Sequence, residues 1–279
     1  MKIGIHMAKF ILSAFADEAS PNFDEQLEAL QAEQISLIEL RGVNGSSASK
    51  MTLSDAETIK KQMDAAGIRL SALGSPFGKA PLNVPFDEHF QEFMHGLELC
   101  RVFDCRRIRM FSFYPPKGED PAVRLDEVLR RLGRMITEAE KAGVLLVHEN
   151  EKGIYGDVTE RCADLLGHFG PRMGFVLDPA NFIQCHVRPL EAYEVLHDRI
   201  TYMHIKDAIM ETGSLVAAGH GDGQLPTLLK LLHQERQDEV VLTVEPHLTV
   251  FDGLKDLQTE ALTSGETYPD RRDGLPLCL

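Results

Sequence analysis

Four apolar runs each end in a residue of a type that binds metals. Val144 to Val147 leads into His148-Glu149-Asn150, Gly174-Phe175-Val176-Leu177 into Asp178, Ile200-Thr201-Tyr202-Met203 into His204, and Val240 to Val244 into Glu245. Such runs read as strands buried on both faces. A carboxylate at the end of a buried strand is unfavourable unless something pairs with it. Three carboxylates and one imidazole suit a hard or borderline divalent ion: manganese first, then magnesium, cobalt or zinc. Singly, each residue has a plainer reading, because polar groups often end strands and Lys206 or Arg199 could pair with them. The joint pattern favours one cation shared by Glu149, Asp178, His204 and Glu245.

Those four residues span nearly a hundred positions, so the fold must bring them together. Side chains alternate along a strand. Leu145, Val147 and Glu149 therefore share a face, as do Gly174, Val176 and Asp178, and Val241, Thr243 and Glu245. Strands are predicted at 10–15, 35–40, 68–73, 107–113, 144–147, 173–177, 200–205 and 240–244. Seven helices alternate with them. The first opens on an Asn22/Glu25 capping box; the second starts near Ser54 and Glu57; the others cover about 86–103, 123–142, 159–169, 189–196 and 225–235. Joints from helix to strand are tight, as in Ala66-Gly67-Ile68, whereas joints from strand to helix are long and polar. This alternation predicts an α/β fold, a (β/α)8 TIM barrel with its site at the strand C-termini. An open doubly wound sheet is the rival, but it usually carries a glycine-rich phosphate loop after the first strand, where Phe15-Ala16-Asp17-Glu18 stands here.

The tail departs from the pattern. Only Leu254, Leu257 and Leu262 could build an eighth helix over strands eight and one, and 263–279 reads as irregular. Either the eighth helix is short, or a second copy of the chain covers the gap in a homo-oligomer. The expectation is one domain over 1–279.

Composition narrows the partners. The 279 residues are 43% hydrophobic and 26% charged, ordinary for a globular chain. Twenty-nine basic against 43 acidic residues give a net charge of −14, a poor fit to nucleic acid or anionic membranes. No apolar run approaches the ~18 residues of a membrane span, and Met1 to Lys9 lacks the apolar segment of a signal peptide. Five cysteines, with no Cys-x-x-Cys pair, read as reduced thiols in a cytoplasmic protein. Cys100 and Cys162 fall on the buried faces of helices.

His148-Glu149-Asn150, Leu177-Asp178-Pro179, His204-Ile205-Lys206-Asp207 and Val244-Glu245-Pro246 together resemble the xylose-isomerase-like barrels described as sugar phosphate isomerases/epimerases. The resemblance spans about 10–252. It implies a carbohydrate-metabolism enzyme with one divalent metal on Glu149, Asp178, His204 and Glu245, acting on a sugar, sugar phosphate or related keto-polyol. In that family's chemistry, metal chelation of a carbonyl and its neighbouring hydroxyl acidifies the intervening C–H. Glu149 and Glu245 would then move the proton through an enediolate.

Two positions depart from the epimerase pattern: Asn181 stands where a histidine follows the Asp ligand, and Gly219-His220-Gly221 replaces a Gly-Glu-Gly loop. Asn181 can hydrogen-bond a hydroxyl but is no acid or base near neutral pH. The extra histidines of the DNA-repair relatives are missing, since strands two and three end in Glu39-Leu40-Arg41 and Leu73-Gly74-Ser75. Further substrate contacts are expected from Arg41, which could instead pair with Glu39 or Asp17, from Lys206, and from Lys79, Arg109 and Tyr114. His148 and His247 flank ligands and read either as orienters or as residues packed outside the barrel. A keto-sugar or inosose dehydratase, and a barrel that only binds a sugar, are the alternatives.

Overall fold

In a computed structural model that describes residues 7–248, the eight apolar runs close into one parallel barrel. Its strands are β1 (Lys9–Ala14), β2 (Leu37–Leu40), β3 (Arg69–Gly74), β4 (Arg107–Met110), β5 (Leu145–Glu149), β6 (Met173–Leu177), β7 (Ile200–Ile205) and β8 (Glu239–Val244). Each pairs with its sequence neighbours, and β8 closes on β1 from Lys9↔Glu239 to Ala14↔Val244.

The helices among the described residues are α1 (Phe23–Ala32), α2 (Leu53–Ala66), α3 (Asp87–Val102), α4 (Leu125–Lys141), α5 (Thr159–Phe169), α6 (Pro179–Gln184), α7 (Pro189–Leu196) and α8 (Leu225–Glu235). Asn22 caps α1 through the Asp24 and Glu25 amides, but Glu25 reaches back to Ser20 Oγ rather than to the cap's own amide. Helix α2 starts earlier than its acidic residues suggest, because the Thr52 hydroxyl accepts the Asp55 amide.

Two layers of core follow from strand alternation. Leu37, Ala72, Val147, Val176, Tyr202 and Val241 fill the barrel, with Ile11 and Leu145 against them. The outward strand residues pack under the helices in one large cluster that includes Cys100 and Cys162. Cys100, Cys105, Cys162 and Cys185 are all free thiols. No helix of the described residues is long and apolar enough to cross a membrane.

The structure corrects two readings and adds two hairpins. Strand β4 stops at Met110, not Phe113. Beyond it the Phe111 and Phe113 amides bond to the Phe77 and Gly78 carbonyls of the β3 loop, and Phe113 has a φ of 67°. A sixth helix follows Asp178 at once, where sequence reading leaves a loop. Short hairpins, Gly42–Val43 with Ser46–Ser47 and Asp207–Ala208 with Leu215–Val216, decorate the loops after β2 and β7. The eighth helix on Leu254, Leu257 and Leu262, the irregular tail 263–279 and Cys278 lie outside the described residues.

Candidate metal centre

Glu149, Asp178, His204 and Glu245 meet at the C-terminal mouth of the barrel. Each offers one ligand atom, and these atoms all lie within 4.8 Å of one another. All four residues are buried, with exposures of 3%, 0%, 0% and 5%. His204 Nδ1 stands 3.2 Å from Glu149 Oε1, 3.1 Å from Glu245 Oε2 and 3.7 Å from Asp178 Oδ2. His204 Nδ1 and Glu245 Oε2 are fully buried and take part in no hydrogen bond among the described residues. Orphaned polar atoms facing one another in a dry site are unfavourable; a divalent cation would satisfy both, and the donor set suits one. The residues therefore fit a metal.

Each ligand is aimed by its own element. Asp178 ends β6 and also caps α6: its Oδ1 accepts the Asn181 amide at 2.9 Å, leaving Oδ2 toward the cluster. Asp followed by Pro179 at the first helical position is a helix-start signal that could have revealed α6. Asn150 fixes the backbone of Asp178 in both directions, donating to its carbonyl and accepting its amide, each at 2.9 Å. Asn181, one turn into α6, donates to Glu149 Oε1 at 3.1 Å and to the Asn150 carbonyl at 3.0 Å, and accepts from Lys206 Nζ at 3.0 Å.

Lys206 does face the same way as His204, with Nζ 3.3 Å from Asp178 Oδ2 and 3.7 Å from Glu245 Oε2. Arg109 lies 3.2 Å from Glu149 Oε2 and 3.4 Å from Glu39 Oε1, and donates to the Ser75 carbonyl. Arg41 reaches Asp17, Glu18 and Glu245 at 2.9–3.1 Å and lies 4.3 Å from the centroid of the Phe15 ring. Of its two expected partners, Asp17 is among these contacts. Lys79 pairs with Glu151 at 2.8 Å and sits over Phe111. Tyr114 lies on the β4 loop, where burial pushes its phenol up to about 12.

Burial and neighbouring charges compete over the protonation states. Burial opposes ionisation of Glu149, but His204 and Arg109 hold it down to about 2. Burial likewise opposes ionisation of Glu245, and Lys206, His247 and His204 hold it well below the carboxylate range. Asp178 is raised by burial despite Lys206. Burial works against a charged Lys206, yet Asp178 and Glu245 raise it above the usual lysine value.

The two flanking histidines differ. His148 points away from the mouth, its Nε2 3.0 Å from Ser112 Oγ and its ring stacked near Phe175, and burial lowers it to about 4. His247 belongs to the mouth, with Nδ1 3.0 Å from Glu18 and 3.5 Å from Glu245. Asp207 and the glycine loop form a clasp: its carboxylate accepts the amides of Ala208, Gly219, Gly221 and Gly223 at 2.8–3.0 Å. Sequence reading missed Glu18, Asn150, Tyr202 and Asp207 as parts of the site and its loops, and gave Glu39 and Asp17 only as partners for Arg41.

A family model described as xylose isomerase-like TIM barrel matches residues 27–262. A comparison with curated protein sequences returns no match. Solved structures with the same fold include the IOLI protein with a bound zinc atom, 16% identical, with 97% of this chain and 95% of that one covered and a TM-score of 0.73. The probable 3-DHS dehydratase AsbF of Bacillus anthracis is 13% identical over 86% and 92%, with a TM-score of 0.69. A D-tagatose 3-epimerase-like protein is 15% identical over 88% and 93%, with a TM-score of 0.68.

Proposed function

The chain belongs to the xylose isomerase-like TIM barrel family, and from that membership and the geometry of the mouth we propose that it is a divalent-metal-dependent isomerase or epimerase of a sugar, sugar phosphate or related keto-polyol. One observation carries the reading: three carboxylates and an imidazole from four consecutive strands place ligand atoms within 4.8 Å of one another. Manganese is the proposed ion, with magnesium, cobalt or zinc able to take its place; the similar IOLI structure holds zinc. When bound, the metal would polarise a substrate carbonyl and acidify the adjacent C–H.

The chain's own residues would do the rest. Glu149 on β5 and Glu245 after β8 flank the centre, and both are held as carboxylates, the form that can accept a proton. One would take the proton and the other return it, through an enediolate. Delivery to the opposite face of one carbon gives epimerisation; transfer between neighbouring carbons gives aldose–ketose isomerisation. Lys206 and Asn181, which touch the ligand carboxylates, are placed against the substrate's oxygens. Arg41 and Arg109 would act on it from behind Glu245 and Glu149, and Lys79 and Tyr114 from the β3 and β4 loops. The substrate is proposed to be a small molecule, with neither nucleic acid nor a membrane as partner, and the location to be cytoplasmic, in keeping with five cysteines that include no Cys-x-x-Cys pair.

A dehydratase is the second reading. Lys206 places an ammonium beside Asp178 and Glu245, where it could hydrogen-bond a departing hydroxyl. Proton NMR of a metal-supplemented ketose panel in D₂O separates the outcomes. Solvent deuterium in an intact carbon skeleton supports the isomerase, loss of water supports the lyase, and tight binding without turnover leaves a sugar-binding barrel.

A further inference from the structure

We infer that Glu39, across the barrel on β2, is the positioning residue for the His204 imidazole, an inference that rests on the metal-centre reading above. His204 is wholly buried, with carboxylates facing both ring nitrogens. Nδ1 faces the three ligand carboxylates, and Nε2 lies 3.2 Å from Glu39 Oε2. With a cation held between Nδ1 and the three ligand carboxylates, the ring's remaining N–H sits on Nε2 and donates to Glu39, leaving the Nδ1 lone pair for the cation. Glu39 thus fixes which nitrogen binds, and holds the ring in the plane that aims Nδ1 at the cluster. Outer carboxylates of this kind orient a ligating histidine and raise its basicity.

Glu39 is itself held in place. It is 1% exposed; its Oε1 accepts the Tyr202 hydroxyl at 2.9 Å and Arg109 Nε at 3.4 Å. The β2–β3 register slips between Ile38 and Glu39, and such irregularities re-aim the side chain that follows. Tyr202 and His204 are alternate residues of β7, so one carboxylate steadies two successive inward positions of the same strand. A carboxylate present only to neutralise Arg109 would not need to face the imidazole, and Arg109 already has Glu149 at 3.2 Å.

The test titrates metal-free parent, Glu39→Ala, Glu39→Gln and His204→Ala with Co²⁺ alone, reading calorimetric affinity, the visible d–d spectrum and the melting temperature of each metal-free form. Glu39→Ala should bind about 10- to 100-fold more weakly with shifted d–d bands, while Glu39→Gln, whose carbonyl can still accept the Nε2 proton, should stay nearer the parent in both. In the parent loaded with Zn²⁺, long-range ¹H–¹⁵N spectra should show a protonated Nε2 and a metal-bound Nδ1, a reading that needs no variant to fold. Parent-like affinity and spectrum in Glu39→Ala, or a metal-bound Nε2, overturns the role of Glu39. If the parent takes up no Co²⁺, or His204→Ala binds it as the parent does, the metal centre itself is wrong.

Discussion

Arg41 Nη1 donates to Glu245 Oε1 across 2.9 Å, tying the residue after β2 to the residue after β8. The same guanidinium holds Asp17 and Glu18 in the loop after β1. One cation thus pins three neighbouring strand ends and commits one oxygen of Glu245, leaving Oε2 to face His204 and Lys206. Arg41→Ala leaves three buried carboxylates without this partner, and removing one member of a buried ion pair is destabilising by about 3–5 kcal/mol. Denaturant unfolding should show that loss, with weaker metal binding alongside it. Stability within 1 kcal/mol of the parent, roughly the scale of an exposed pair, would show that the cluster is not structural.

Asn181 stands where the epimerase pattern has a histidine, and its amide is already bonded to Glu149, the Asn150 carbonyl and Lys206. Asn181→Ala removes a donor to Glu149 and an acceptor from Lys206 together. Buried groups left unsatisfied in this way are destabilising by about 1–3 kcal/mol. The expected kinetic result is a fall in kcat larger than the rise in KM, because Glu149 loses its support while the substrate loses one contact among several. A change confined to KM would instead leave Asn181 with its substrate contact alone and no part in holding Glu149.

Much of this was legible in the sequence. Apolar runs ending in Glu149, Asp178, His204 and Glu245 gave both the strands and the candidate ligands, because strand alternation fixes which side chains face inward. Two kinds of feature were not. Glu39 and His204 are 165 positions apart and meet only when the barrel closes, so no local pattern marks the pair. Phe111-Ser112-Phe113 has a strand's composition, yet the Phe111 and Phe113 amides bond to the β3 loop; apolar content reports burial, not which backbone supplies the partner.

His89 makes stability depend on pH. Its Nε2 accepts the Gly78 amide at 2.8 Å, which requires that nitrogen to be unprotonated, and Phe77, Phe86 and Phe113 surround the ring. Burial, and then the charge of Arg131, lower it from 6.5 to about 4. The unfolded chain therefore binds this proton more tightly than the folded one. The contribution is complete above about pH 6.5 and is lost as pH falls toward 4, up to about 3 kcal/mol in all. Denaturant midpoints across that window should fall in the parent and fall less steeply in His89→Phe. Equal slopes would exclude His89 as the source.

Asp207 organises the loop that follows β7. A Cβ on Gly221 would sit 2.3 Å from Asp207 Oδ1 and 2.5 Å from the Ala208 carbonyl, so the clasp needs glycine there. Asp207→Asn replaces an acceptor oxygen with an NH₂ facing amide donors. Hydrogen exchange should quicken at Gly219, Gly221 and Gly223, with local stability falling by about 1–3 kcal/mol. Protection like the parent's would mean that the loop is held by its packing on α6 instead.

Glu149→Gln and Glu245→Gln test the proton-transfer pair at saturating metal. Each substitution keeps an oxygen for the cation and removes a base. Interconversion of substrate and product should fall by about 10²- to 10⁴-fold in each variant, and each should bind metal more weakly through loss of a charge. If the reaction is an epimerisation, the two carboxylates address opposite faces of one carbon. Each variant should then still exchange the α-proton of one epimer with solvent, and the surviving epimer should differ between the two. Loss of exchange from both epimers in one variant alone would point to a single carboxylate acting on both faces. Full activity in both variants would remove Glu149 and Glu245 from the chemistry and leave them as ligands only.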